Sequence, residues 1–172
     1  MHRHVFQSIA AGIASWPVVS LALLLRAGEA AKVMEEVVRR QLEASGAPPG
    51  VVEEAVRSVA PTISLSITLA PLGALLQGAL IGALLGLLYS WLADRGVGQR
   101  VAAAVTGGFG ALVLGALPLL AMILSQPWVY APLVDLVLPL VLGGWGLYTA
   151  LLILFTLPGP WRRLGEARPS EY

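Results

Sequence analysis

Apolar residues along the chain fall into four long runs, and polar residues are concentrated between them. The runs cover residues 5–25, 72–92, 101–125 and 132–157. Each is long enough to cross the roughly 30 Å hydrocarbon core of a bilayer as a helix, which takes about 20 residues. The pattern therefore predicts an all-α, polytopic integral membrane protein with four transmembrane helices in a single membrane domain. The first run is longer than the apolar part of a usual signal peptide, so we expect it to be a retained span.

A sizeable polar segment, residues 27–60, separates the first two runs. Its first half reads as an amphipathic helix in which Glu35–Arg39 and Glu36–Arg40 are favourable i,i+4 pairs. Gly and Pro in residues 45–50 end that helix, and a second short helix follows with the pair Glu53–Arg57. We expect a helical hairpin outside the bilayer that forms a solvated cap, with docking of a partner as the alternative.

Prolines are expected to interrupt two of the spans. Pro17 lies in the middle of the first run, where it removes one backbone donor and favours a kink. A continuous helix from Pro61 to Leu92 would be about 48 Å long, well beyond the hydrocarbon core. We therefore place a break or kink at Pro71 and begin the second span after it.

Small residues recur every fourth position in the second and third spans, which places them on one face of each helix. In lipid such a stripe, a glycine zipper, lets another helix backbone approach closely. The two spans are joined by a short turn, so we expect their stripes to face each other in an antiparallel hairpin. The stripes consist of Ala74, Gly78, Gly82, Gly86 and Ser90 in the second span and Ala103, Gly107, Ala111 and Gly115 in the third.

A faint internal echo relates residues 73–80 to residues 110–117, which share two Gly-Ala-Leu triplets. Because consecutive spans run in opposite directions, a true repeat would be an inverted one, as in many transporters. Ala, Gly and Leu dominate the chain, so a chance echo is the favoured interpretation.

The distribution of cations in short loops predicts orientation. Arg95 and Arg100 flank the second loop, the third loop has no cation, and residues 159–172 form an arginine-containing tail. Both termini are therefore expected in the cytoplasm of a multi-pass cell-membrane protein, with the hairpin outside. Aromatic residues then form belts at the two interfaces, namely Tyr89, Trp91 and Trp161 inside and Trp128 and Tyr130 outside.

Composition narrows the class of protein further. Hydrophobic residues make up 57% of the chain and charged residues 12%, against about 25% charged in soluble domains. The net charge of +1 argues against a nucleic-acid partner. Cysteine is absent, which excludes disulfides and thiolate chemistry. Asparagine is absent as well, which is compatible with a thermophilic source or with GC-rich codon usage.

Few side chains are candidates for chemistry. Gln77 is a strongly polar side chain inside a predicted span, so we expect it to face protein or water, with an interhelical hydrogen bond favoured over a ligand or pore contact. Asp135 falls in the predicted first turn of the fourth helix, where complementing the helix dipole is favoured over a proton, cation or pore contact. Trp16, Trp145 and Tyr148 fall near mid-membrane, where bundle packing is favoured over a pocket for an apolar ligand.

The remaining candidates do not assemble a catalytic or metal site. His2 and His4 are the two histidines of the chain, whereas a closed metal site requires three or four ligands. We find no nucleophile triad, paired carboxylates or phosphate loop, and we expect neither an enzyme nor a bound cofactor. A lipid-modifying enzyme is the least favoured hypothesis, because such enzymes carry clusters of His, Asp or Glu.

These features favour a non-catalytic accessory or scaffold subunit of a membrane complex. A small homo-oligomeric transporter or channel is the alternative. The expected partners are the lipid bilayer and either other membrane subunits or further copies of this chain.

Overall fold

The structure, a computed structural model, describes residues 2–157. The predicted tail at residues 159–172 and Trp161 lie outside the described residues. Helices account for nearly all of residues 2–157, and no strand occurs among them. In chain order they are α1 (His2–Leu25), α2 (Ala27–Ala44), α3 (Pro49–Asp94), α4 (Gln99–Gly110), α5 (Leu117–Ser125) and α6 (Pro127–Leu154).

The prediction of an all-helical protein with four helices able to span a membrane is confirmed. Four helical stretches are long and apolar enough to cross a bilayer: Arg3–Leu25, Pro49–Asp94, Gln99–Ser125 and Pro127–Leu154. The third stretch consists of α4, a π-helical turn (Ala111–Ala116) and α5 in succession.

α3 continues through Pro61 and Pro71 as one helix. Of the two alternatives predicted at Pro71, a break or a kink, the break is therefore wrong. The 46 residues of α3 correspond to about 69 Å of helix at 1.5 Å per residue. The predicted second helix of the hairpin is therefore the first part of the same helix that forms the second span. A proline removes one helical hydrogen bond, which neighbouring helices and side chains can compensate in membrane proteins. α1 likewise continues through Pro17.

Helices α1 and α2 follow one another along α3 and run antiparallel to it. Gly12 of α1 lies against Gly78 of α3, and Arg39 of α2 contacts Glu53 near the start of α3. Between these points Ala30 of α2 packs in one cluster with Ile67 of α3. The chain reverses at residues 45–48, where Gly46 adopts a φ of +80°, a left-handed conformation that favours glycine.

The charge pairs of the polar segment differ in part from those expected. Glu36 and Arg40 pair as predicted, with Arg40 Nε donating to the carboxylate at 2.7 Å. Arg39 pairs with Glu53 across the chain reversal, so the predicted pairs Glu35–Arg39 and Glu53–Arg57 do not form. The hydrogen bond with Glu53, and then its charge, raise the pKa of Arg39 above its ordinary value. An interhelical partner thus replaces the partners expected on the same helix.

Helix α6 begins at Pro127, five residues before the predicted start, and Pro132 lies inside it. Because proline has no N–H, the carbonyl of Trp128 one turn earlier lacks its helical donor. Arg40 Nη1 supplies that donor at 2.6 Å. At the other end of α6, Gln7 Nε2 donates to the carbonyl of Phe155 at 2.8 Å. Side chains from α1 and α2 therefore hold both ends of α6.

Candidate functional site

An aromatic cluster in the middle of the bundle joins three of the residues singled out in the sequence. Trp16 of α1 and Trp145 of α6 meet edge to face with ring centroids 5.3 Å apart. Tyr148 meets Trp145 in the same manner at 5.7 Å. Trp145 and Tyr148 are fully buried, and such perpendicular contacts suit the charge distribution of aromatic rings. The favoured interpretation of these residues, bundle packing, agrees with this arrangement.

The polar end of the cluster is the hydroxyl of Tyr148, which lies 2.6 Å from Ser8 Oγ of α1. Both side chains are fully buried, so each hydroxyl satisfies the other away from water. Sequence reasoning missed Ser8. A signal was present, because Ser8, Gly12 and Ser15 are small residues spaced along one face of α1.

Glycines of α3 pack against α1, which the sequence did not predict. A Cβ atom added to Gly82 would stand 2.6 Å from the carbonyl oxygen of Ser8, and one added to Gly86 would stand 2.8 Å from the Cα of Val5. The backbones of Gly78 and Gly12 approach each other more closely still. The expectation that the stripe of α3 faces α4 is therefore wrong. The remaining members, Ala74 and Ser90, are also buried.

The stripe of the third span faces α6, and the π-helical turn changes its register. Gly107 lies against Thr149, while Gly110 and Gly115 both lie against Trp145. Positions five residues apart are about 140° apart around an α-helix, but they are joined by the i→i+5 hydrogen bond of a π-helix. The π-helical turn thus places Gly110 in the contact with α6 that was predicted for Ala111. Ala111 itself is only partly buried. Ala103, one turn before Gly107, is fully buried.

A shallow groove of about 470 Å³ lies between α4 and α6. Gly107, Gly108 and Gly146 leave it open, and Trp145 forms part of its wall. The hydroxyl of Thr149 in this wall donates to the carbonyl of Trp145 at 2.8 Å, which leaves the lining apolar in character. The groove could accept an apolar chain, but it offers no charged group to position a reacting one.

A second aromatic contact joins α1 to α3 near the start of α1. The rings of His4 and Tyr89 meet edge to face at 5.0 Å. Tyr89 was predicted to lie in the interfacial belt, but it is fully buried. Its hydroxyl and His4 Nδ1 have no hydrogen-bond partner within the described structure. Residues 2–157 contain no group of three His, Cys, Asp or Glu side chains placed to hold a metal ion.

Gln77 lies outside both contacts, on the exposed side of α3. The interhelical hydrogen bond expected for it does not form within the chain, since its amide bonds to no other residue between 2 and 157. Its neighbour Gly78 faces α1, and one residue corresponds to a rotation of about 100°. The packing of α1 on α3 thus turns Gln77 outward.

Asp135 is exposed and lies deeper in its helix than predicted, because α6 begins at Pro127. Its neighbour Leu136 packs with Ala30 of α2. Asp135 is therefore level with the start of α2, away from the aromatic cluster.

Other predicted interface residues are distributed as follows. Trp91 is half-exposed and carries the guanidinium of Arg95 over its ring at 3.9 Å, a cation–π contact. Trp128 is also half-exposed, and the hydroxyl oxygen of Tyr130 accepts a hydrogen bond from Gln41 Nε2 at 2.8 Å.

The two segments of the internal echo have different surroundings. Gly73 has open space beside it, whereas its counterpart Gly110 lies against Trp145. Gly78 packs on the backbone of α1, whereas its counterpart Gly115 packs on the Trp145 side chain. This difference favours a chance echo.

No protein-family model, curated protein or solved structure matches this chain.

Proposed function

We propose that the chain is a non-catalytic integral membrane protein that serves as an accessory or scaffold subunit of a membrane complex. One observation carries the proposal: the amide of Gln77 lies on the exposed side of a helix that can span the bilayer. An amide without a partner in hydrocarbon is unfavourable by several kcal/mol. A neighbouring protein that bonds to Gln77 removes this penalty.

The interior of the bundle supports a structural role over a catalytic one. Its centre is filled by the aromatic cluster, and α1 and α3 pack closely against each other at glycines. Between residues 2 and 157 the polar side chains of this interior are hydroxyl, amide, indole and imidazole groups, and no carboxylate pair or nucleophile with its base lies among them. Such a bundle presents a rigid surface to its surroundings.

We propose that both termini lie in the cytoplasm and that the reversal at residues 45–48 lies outside. The charge of Arg95 and Arg100 in the opposite turn supports this orientation. α2 and the first part of α3 then form the outer hairpin, stabilised by the pair between Arg39 and Glu53.

A small homo-oligomeric transporter or channel is the second candidate. Gln77 favours it as well, because several copies arranged around an axis would bring these amides together along a polar path. The two candidates differ in what accompanies the chain in its membrane.

Native mass spectrometry of the protein, extracted with its surrounding lipid, tests the proposal. We expect other subunits at fixed stoichiometry with the wild-type chain. Gln77→Leu should remove the chain bound at Gln77, whether that chain is another subunit or a second copy of this one. Leu76→Ala is the matched control, since Leu76 is the adjacent exposed residue, and it should retain the bound chain. Recovery of copies of this chain alone would contradict the scaffold role and favour the transporter or channel.

A further inference from the structure

The exposed side of α3, which includes Gln77, also carries a seven-residue repeat. Two rows run along this side at the spacing of the a and d positions of a coiled coil. None of the eight residues is buried in the chain. The first row is Ala70, Gln77, Leu84 and Trp91, and the second is Ser66, Gly73, Leu80 and Leu87.

Gln77 stands at the level of the bundle centre. Its neighbour Gly78 lies against Gly12, the middle of the 24-residue helix α1. In the hydrocarbon core of a bilayer, an amide that faces lipid at this depth needs a partner from protein. Ser66 on the same side does not, because its hydroxyl already donates to the carbonyl of Thr62 at 2.8 Å.

Gly73, one turn from Gln77, makes a close approach possible. No atom lies within 4 Å of the position that a Cβ of Gly73 would occupy. Glycines of α3 that face the interior of the chain are packed against another helix, as Gly82 is against Ser8 of α1. A small residue beside a polar one is the combination by which helices associate in lipid.

We infer that the exposed side of α3 binds the same side of a second copy of this chain, with the two α3 helices parallel and Gln77 opposite Gln77. Copies inserted in the same orientation are related by a two-fold axis along the membrane normal, so each position meets itself. An amide has both a donor and an acceptor and can therefore pair with its own copy. This inference rests on the proposed function and names a copy of the chain as the neighbour at Gln77.

Disulfide trapping in the membrane tests the inference, because the chain contains no cysteine of its own. Gln77→Cys and Leu84→Cys, both in the first row, should form dimers under mild oxidation. Leu76→Cys is the matched control: it is more exposed than Leu84, but it points about 100° away from Gln77. We expect at least fivefold more dimer at residues 77 and 84 than at residue 76. Equal trapping at all three sites, or none at residue 77, would overturn the inference.

A second measurement separates pairing through the amide from simple proximity. Energy transfer between labelled copies in lipid nanodiscs should show at least tenfold weaker association for Gln77→Leu than for the wild-type chain. Gln77→Asn retains the amide and should associate within threefold of the wild type. Association of Gln77→Leu as strong as wild type would overturn the inference. If other subunits accompany the wild-type chain while no dimer is trapped at residue 77, the inference fails and the scaffold role stands.

Discussion

One pair of hydroxyl groups, those of Ser8 and Tyr148, determines how α1 and α6 pack together. Tyr148 and Ser8 bring their hydroxyls to 2.6 Å in a place that water does not reach. Removal of one hydroxyl leaves the other without a partner, whereas removal of both leaves an apolar contact. The hydrogen bond therefore contributes specificity as well as stability.

We expect Ser8→Ala and Tyr148→Phe each to lower the free energy of unfolding by about 1–2 kcal/mol. The double variant should lose less than the sum of the two, with a coupling of about 0.5–1.5 kcal/mol, because it leaves no unpaired hydroxyl. Unfolding by sodium dodecyl sulfate in mixed micelles, followed by circular dichroism, measures all three. Strictly additive losses would show that the two hydroxyls do not interact.

The sequence predicts which residues are unusual better than it predicts where they point. Trp16, Trp145 and Tyr148 stand out by their depth in the spans, and the structure joins them. Gln77 stands out for the same reason, yet its direction depends on which side of α3 the helix α1 covers. That choice arises from contacts between residues about 70 apart in sequence, such as Gly12 and Gly78, and no local pattern reveals it.

At the scale of helices, close packing of α3 on α1 is the main contact of the bundle. Gly78, Gly82 and Gly86 let the backbone of α1 approach within contact distance. The four-residue spacing predicts a surface for close packing on α3, but it does not identify the partner helix. Likewise, a π-helical turn has no sequence signature of its own here, so the shift from Ala111 to Gly110 could not be predicted.

We expect Gly82→Ala to destabilise the protein by about 1–3 kcal/mol, because the new Cβ would stand 2.6 Å from the Ser8 carbonyl oxygen and the two backbones must separate. Gly143→Ala is the control, since nothing lies within 4 Å of its Cβ position, and it should change stability by less than about 1 kcal/mol. The same unfolding assay compares them. Equal effects of the two substitutions would contradict the close contact of α1 and α3.

At the scale of the whole molecule, α3 separates the two chain reversals by its full length. One reversal, residues 45–48, precedes α3, and the other, residues 95–98, follows it. A helix of about 69 Å exceeds twice the thickness of the hydrocarbon core. The two reversals are therefore expected on opposite sides of the membrane.

We expect Ser45→Cys to react with a membrane-impermeant maleimide in sealed right-side-out vesicles. Gly98→Cys should react only after the vesicles are opened, because the charges of Arg95 and Arg100 favour the cytoplasmic side for this turn in the proposed orientation. Both positions are exposed, so accessibility within the protein does not limit labelling. The reverse pattern would overturn the orientation, and labelling of both from one side would overturn the crossing itself.

The attachment of α6 at both ends has a consequence for biosynthesis. Ser8 and Tyr148 are separated by 140 residues, and Gln7 and Phe155 by 148. At about 5–20 residues per second, α1 leaves the ribosome roughly 7–30 s before its last partner exists. During that interval α3 can already cover Gly12, but Trp16, Ser8 and Arg40 await the final span. The bundle therefore closes only after translation has reached α6.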